Sequence, residues 1–279
     1  HTEMFLKLKH ITSHKINWKN KYQNIKEISK ELDMHISNFA FLDDNPLERE
    51  QMRSNLPLVE TLEPPKELHD WPIYIRNLDI FSISHLLEND KRRNNQYKNR
   101  MKFIIDRENE KDDLNFLKTI KISPKLLRLN NNYIQRAIQL SERTNQFNVS
   151  KNVYINQNLQ SIIKSNKEIF YLLRLKDKYG DHGIVGLFHI IEKSKGEYQL
   201  YNFLLSCRIL GRYVEYWLIR EIQNILIKKS FNHLLIKPIN TKKNKIALKF
   251  INSLNLFFDK KRKAFILDKK SKIKNLDIY

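Results

Sequence analysis

The chain has 279 residues, 41% of them hydrophobic and 11% aromatic, which is enough apolar side chain to build cores and excludes global disorder. Five Gly and seven Pro exclude collagen-like and Gly/Pro low-complexity chains, and the apolar runs stay short of the roughly 20 residues that cross a bilayer, so no membrane is expected. Lys and Arg number 51 against 31 Asp and Glu; the net charge of +20 suggests an anionic partner, although the cations are scattered among Asn and Ile in the manner of a compositionally biased genome.

A single cysteine, Cys207, rules out an internal disulfide and a multi-cysteine zinc site and fits a reducing, cytoplasmic setting. No secretory signal is expected, because Met4-Phe-Leu-Lys-Leu-Lys-His10 lacks the apolar length. Nucleic acid is not the expected partner, since no zinc-finger, KH or RNP pattern is present. The first residue is His1 rather than Met, so the sequence is expected to be a fragment.

Taken in chain order, Ile25, Ile28 and Leu32 share one face of a helix over 21–34. Asn38-Phe-Ala-Phe-Leu42 reads as a short strand meeting the acidic turn Asp43-Asp44-Asn45-Pro46, and helical spacing resumes over 47–55 behind the proline. A second short strand follows at 58–62, then Pro64-Pro65 and an apolar stretch over 71–81. From 82 to 119 the composition turns to charge, which predicts a helical connector between two domains, 1–81 and 120–279.

In the second domain, strands are expected at 125–129, 169–175, 184–191, 199–206 and 233–239, with helices at 133–144, 159–165, 214–227 and 245–252. Turns fall at Tyr179-Gly-Asp-His-Gly183 and Ser194-Lys-Gly196, and a last strand closes the order β-α-α-β-β-β-α-β-α-β. Both halves are of the α/β class.

Several residues carry chemistry. Asp43 and Asp44, at the C-terminal end of a strand, can hold a divalent cation whose remaining ligands are water; an Asp-Asp-Asn-Pro turn is equally an Asx or N-cap device. Arg208-Ile-Leu-Gly211-Arg212-Tyr213 lies between a strand and a helix, where successive backbone N–H groups can bind a pyrophosphate.

Phe41-Leu-Asp-Asp-Asn-Pro-Leu-Glu-Arg-Glu50, preceded by Asn17-Trp-Lys-Asn-Lys21 and a helix, resembles the haloacid dehalogenase (HAD) superfamily, and closely its FkbH-like branch of subclass IIIC phosphatases. The resemblance continues through Glu142-Arg-Thr-Asn-Gln-Phe-Asn148, Gly180-Asp-His-Gly-Ile-Val-Gly186 and Leu205-Ser-Cys-Arg-Ile-Leu-Gly-Arg-Tyr-Val-Glu215, and so spans most of 1–258. It implies the C-terminal part of a HAD-like Rossmannoid domain followed by a GNAT-like domain, the fold of acyl-CoA N-acyltransferases.

By that resemblance Lys21, with Lys19 as its neighbouring alternative, steadies a phosphoryl group and a nucleophilic aspartate, while Asp43 and Asp44 flank a magnesium ion and Asp44 counts among the catalytic residues. Such chemistry needs a carboxylate nucleophile, a cation offsetting phosphoryl charge and a fixed lysine. The nucleophile motif Asp-x-Asp-x-Thr/Val cannot be placed ahead of Lys21, so no phosphatase turnover is expected from this polypeptide alone.

In the GNAT-like half the resemblance implies that Arg208, Gly211 and Arg212 bind coenzyme A or a phosphopantetheine arm, with Tyr213 standing where a small residue is usual. Cys207 is a candidate acyl-bearing thiol with His182 as its base, and Asn145 and Gln146 are candidates to orient the substrate carbonyl. The plainer alternatives are a buried inert cysteine, turn chemistry at His182, an ordinary helix cap at Asn145-Gln146, and salt bridges from the arginines to Glu215 or Asp181. The implied activity is loading of a three-carbon glyceryl unit, derived from a phosphoglycerate, onto an acidic acyl carrier protein in polyketide-type biosynthesis. A CoA-dependent N-acetyltransferase and a non-catalytic carrier-docking module are the rival readings.

Overall fold

The computed structural model describes residues 5–32, 34–81, 93–165 and 167–279. The first part of the predicted connector, 82–92, lies outside the described residues. The chain divides into two compact units, His1–Lys102 and Phe103–Tyr279, each mixed α/β.

In the first unit, α1 (Lys21–Leu32) precedes β1 (Ala40–Phe41), α2 (Pro46–Asn55) and β2 (Glu60–Thr61). β1 and β2 pair in parallel, Ala40 opposite Glu60, and α2 supplies the crossover that a parallel pair requires. Its start is fixed locally: the Asn45 side chain accepts from the Leu47 amide at 2.9 Å, and Pro46 brings a helix-ready φ to the first turn. Phe41, Met52, Leu56 and Val59 form the core, with Tyr22 and Ile25 of α1 packed against it. Helix α3 (Trp71–Arg76) begins the predicted apolar stretch.

Helix α4 (Arg93–Glu108) leads into the second unit and is followed by α5 (Asp113–Thr119), whose start is capped by Asp112 accepting from the Leu114 and Asn115 amides. Phe103, Phe116 and Leu117 are buried in the second unit's core, so charged composition here conceals a buried face. An eight-stranded sheet follows in the order β3-β5-β6-β7-β8-β10-β9, with β4 pairing β7 off that path. Its strands are β3 (Ser123–Arg128), β4 (Phe147–Asn148), β5 (Glu168–Asp177), β6 (Gly180–Ser194), β7 (Glu197–Leu205), β8 (His233–Ile236), β9 (Phe257–Asp259) and β10 (Ala264–Asp268). All its pairs are antiparallel except β7 with β8.

Strand period two sorts the core onto two faces: Phe203 and Leu205 pack on one, Leu204 on the other. The first face is covered by α5, α8 (Val214–Ile227), α9 (Lys245–Ser253) and the C-terminal tail through Ile278, the second by α6 (Ile134–Arg143) and α7 (Asn156–Lys164). The sheet is therefore sandwiched between helices. The element order matches the expected one, with two additions: the two-residue β4, and a β9–β10 hairpin where one strand was expected. The hairpin's turn carries Lys260 to Lys263, and neither Gly nor Pro marks it.

The parallel β7–β8 pairing covers only Glu197–Leu200 against His233–Ile236. Beyond it β7 turns to β4, with Phe147 opposite Leu205 and the Val149 amide donating to the Phe203 carbonyl at 2.9 Å. Segment 147–149 therefore satisfies the free edge of β7, and the Ile239 amide in turn donates to the Val149 carbonyl at 2.9 Å. On the opposite edge Gly186 permits close approach: a Cβ there would lie 2.6 Å from Leu205 Cδ2 and 2.9 Å from the Leu204 carbonyl oxygen.

Candidate functional site

At the mouth of the first unit, Lys21 opens α1 and reaches Asp43 just beyond β1, with Nζ 2.5 Å from Oδ2. Asp43 Oδ1 accepts from the Asn45 amide at 3.0 Å, so the carboxylate both closes the turn and holds the lysine. The turn is fixed from below by Arg49, whose Nη1 donates to the Asp43 and Asp44 carbonyls at 2.9 Å each while its Nε donates to Glu63. The Lys21 ammonium is held above the usual lysine range by its bond to Asp43, with smaller contributions from Glu48 and Asp44. Lys19 bonds Glu27 at 2.9 Å, away from this turn, so of the two candidate lysines it is Lys21 that meets the acidic pair.

Asp43 and Asp44 offer hard carboxylate oxygens at a strand end, and one or two carboxylates are the usual protein share of a magnesium site. In donor chemistry and position the pair fits. Among the described residues, no three His, Cys, Asp or Glu side chains gather as a metal cage. Magnesium there would draw its other ligands from water, substrate phosphate or a further segment.

In the second unit, residues 207–213 link β7 to α8. Arg212, expected on an open phosphate loop, is instead fully buried: its Nε donates to Asp177 Oδ2 at 2.6 Å, its Nη1 donates to the Arg208 carbonyl at 3.2 Å, and its guanidinium lies 3.9 Å from the Phe103 ring centroid. A cation so placed is held by its counter-ion and the ring face rather than presented to a ligand. For Arg212 the alternative salt bridges to Glu215 or Asp181 give way to the Asp177 pair. Asp181 pairs with Arg174 at 2.6 Å, and burial pushes the Glu215 carboxyl up to about 7.

His182, proposed as a base for Cys207, is buried with Nε2 2.9 Å from Asp177 Oδ1. That contact ties it to the Arg212–Asp177 pair. Burial works to raise the Asp177 carboxyl, but His182 and Arg212 outweigh it and hold the group below the usual carboxylate value. Cys207 itself is half-buried at the start of a short 3₁₀ turn, Cys207–Ile209. Arg208 is buried and its Nε donates to Ser206 Oγ at 3.2 Å.

The backbone of the loop is crowded at Gly211. Gly211 has φ of 88°, and a Cβ there would run into the Arg107 guanidinium. Arg107 donates through Nη2 to Asp113 Oδ2 at 2.7 Å, and the Tyr213 hydroxyl donates to the same oxygen at 2.9 Å. Tyr213 adopts a left-handed φ of 56° immediately before α8, and the Tyr279 hydroxyl donates to its carbonyl. At Gly211 the approach to the backbone is therefore taken by Arg107, which Asp113 holds in place. Arg212 is committed to Asp177 and Arg107 crowds Gly211, so neither stands open to the pyrophosphate of coenzyme A as expected.

Asn145 and Gln146 follow α6 without capping it by side chain: Asn145 Oδ1 accepts from Lys151 Nζ at 2.6 Å, and Gln146 is half-buried. Sequence reasoning missed Lys151, Asp177 and Arg107. Lys151 meets Asn145 through a loop rather than a periodic face, and Asp177 meets Arg212 across 35 positions, so no local pattern announces either.

No family model and no curated protein matches the chain. Among solved structures, the N-terminal part of the protein BF1531 from Bacteroides fragilis, containing a phosphatase domain complexed with Mg, is 37% identical over 30% of this chain and 22% of that one, with a TM-score of 0.29. The chain thus matches less than a quarter of that structure's length. The ribosomal-protein-S18-alanine N-acetyltransferase from Escherichia coli is 12% identical over 56% of this chain and 99% of its own, with a TM-score of 0.39. A GNAT family acetyltransferase from Elizabethkingia anophelis with acetyl-CoA bound is 9% identical over 50% of this chain and 78% of its own, with a TM-score of 0.36. The mixed α/β class of both units rests on the strand order and register given above.

Proposed function

We propose that the chain is part of a phosphatase–acyltransferase that loads a glyceryl unit, drawn from a phosphorylated three-carbon acid, onto an acidic acyl carrier protein. The observation that carries this reading is the Lys21–Asp43 contact of 2.5 Å at the end of β1, a lysine and carboxylate held together where a phosphoryl group would be handled. Magnesium beside Asp43 and Asp44 would supply charge neutralisation for the phosphoryl oxygens. Lys21 supplies a fixed positive charge at that position, and Arg49 keeps the turn from shifting under it.

The closed 208–213 loop favours a carrier over free coenzyme A. A phosphopantetheine arm attached to a protein brings no adenosine pyrophosphate and does not need the loop amides. The net charge of +20 suits an acidic carrier by speeding encounter. Cys207 is the thiol offered for the acyl group: its thiolate attacks the donor's acyl carbonyl, releasing phosphate from an acyl phosphate or the thiol from a thioester, and the carrier's thiol then takes the acyl group and restores the Cys207 thiol.

Incubating the chain with a glyceryl thioester of a small thiol and a holo carrier tests the reading by intact-mass spectrometry. Glyceryl mass on the carrier is expected, and its loss in Cys207→Ser. Carrier binding with no transfer would instead support the non-catalytic docking role.

A further inference from the structure

The loop between α6 and α7 and the turn before α9 are joined by buried amides. Asn244, with no solvent exposure, donates through Nδ2 to the Asn148 carbonyl at 2.9 Å and to the Ile239 carbonyl at 2.7 Å, while its Oδ1 accepts from the Thr241 amide at 2.9 Å and the Thr241 hydroxyl at 2.8 Å. This stitching brings Lys243 beside the loop that ends in Lys151.

Lys151 is held there against its backbone preference. Its φ is 58°, a left-handed value unfavourable for a residue with a Cβ, and its amide donates to Asn148 Oδ1 at 2.8 Å. Its ammonium is half-buried and bonded to the neutral Asn145 Oδ1, and among the described residues no carboxylate forms an ion pair with Lys151 or Lys243. Burial and the charge of Lys243 hold the Lys151 ammonium below the usual lysine range.

Two further polar groups in the same loop point to a missing ligand. Ser150, 6% exposed, has a buried hydroxyl without a hydrogen-bond partner among the described residues, and Gln146 Oε1 is likewise buried and unmatched. Buried polar atoms are rarely left so, and a hydroxyl and an amide that can turn its NH₂ inward are both donors to an anion. Two cations repelling each other beside unmatched donors gain from a bridging oxyanion and from little else.

We propose that residues 145–151, together with Lys243, form a binding site for a compact oxyanion, a phosphate or carboxylate group, with Lys151 and Lys243 as its cationic ligands. The site belongs to the second unit and takes in Asn145 and Gln146, the candidates for orienting the substrate carbonyl; its test reads anion binding and not acyl transfer, so its failure and that of the acyl-carrier reading are told apart.

Limiting acetic anhydride applied to the whole chain, with each lysine followed by peptide mass spectrometry, tests it in the presence of inorganic phosphate, acetate or chloride at equal ionic strength. Saturable protection of Lys151 and Lys243 by phosphate or acetate, with Lys260 and Lys272 unaffected and chloride inert, is the expected result. Whichever anion protects at the lower concentration identifies the group the site takes. Exposed Lys243 can be changed without disturbing the core, and Lys243→Gln should weaken calorimetric binding of that anion by about tenfold, as expected for a lost charge-assisted bond. Uniform protection of all lysines, no protection, or unchanged affinity in Lys243→Gln with Lys272→Gln as the control would overturn the proposal.

Discussion

Arg212 Nε donates to Asp177 Oδ2 at 2.6 Å, and neither side chain has any solvent exposure. A buried pair of this kind contributes little net stability over an apolar substitute, yet losing one partner strands the other charge in low dielectric. Arg212→Ala is therefore expected to destabilise the second unit by about 3–5 kcal/mol. Chemical denaturation reads the change; a loss within experimental error would mean that Arg212 is a surface ligand after all.

Glu215, in the first turn of α8, gives a pH dependence of definite sign. Burial raises its folded-state pKa from an ordinary 4.5 to about 7. The folded state then binds the proton more tightly than the unfolded chain, so the contribution to stability is complete below about pH 4.5 and is lost as pH rises through about 7. Glu215→Gln should flatten the stability profile over that window and gain on the wild type at pH 8. An unchanged slope would show that the carboxyl is solvated.

Gly186→Ala tests the packing of β6 on β7. The new methyl would sit 2.9 Å from the Leu204 carbonyl oxygen, and backbone cannot step aside as a side chain can. Overpacking at such a site costs about 1–3 kcal/mol. Thermal unfolding at unchanged secondary structure is the readout, and an unaltered midpoint would contradict the close approach.

The elements themselves were largely legible in the residues. The α8 span 214–227 follows directly from its apolar periodicity, and the β1–α2 unit from Asn45-Pro46 behind a short apolar run. Strand β4 was not legible, because two residues carry no period and their pairing with Leu204 and Leu205 is decided by tertiary position. The same holds for the sites. Lys21 and Asp43 could be picked out by motif and are in contact, whereas the burial of Arg212 depends on Asp177 and Phe103, which lie far away in sequence. A loop motif specifies backbone geometry, but what lies over it is set by residues such as Arg107 that belong to another element.

The first unit has two acidic residues and a lysine at its mouth and, among the described residues, no third acidic ligand to complete a metal cage. The purified chain with magnesium is expected to release no phosphate from a phosphorylated three-carbon acid above the buffer rate. Magnesium-dependent release that disappears in Lys21→Met would contradict this. The same substitution should change stability by no more than about 1 kcal/mol, since Lys21 is nearly half exposed.

The proposed function has the second unit meet a protein-borne phosphopantetheine arm in preference to free coenzyme A. Parallel calorimetric titrations of the chain with coenzyme A and with an acidic holo acyl carrier protein, repeated at rising salt, test it most directly. Binding of the carrier that weakens with ionic strength, alongside no heat from coenzyme A, is the predicted result. Coenzyme A binding that is lost when its pyrophosphate is removed, with no response to the carrier, would contradict the account.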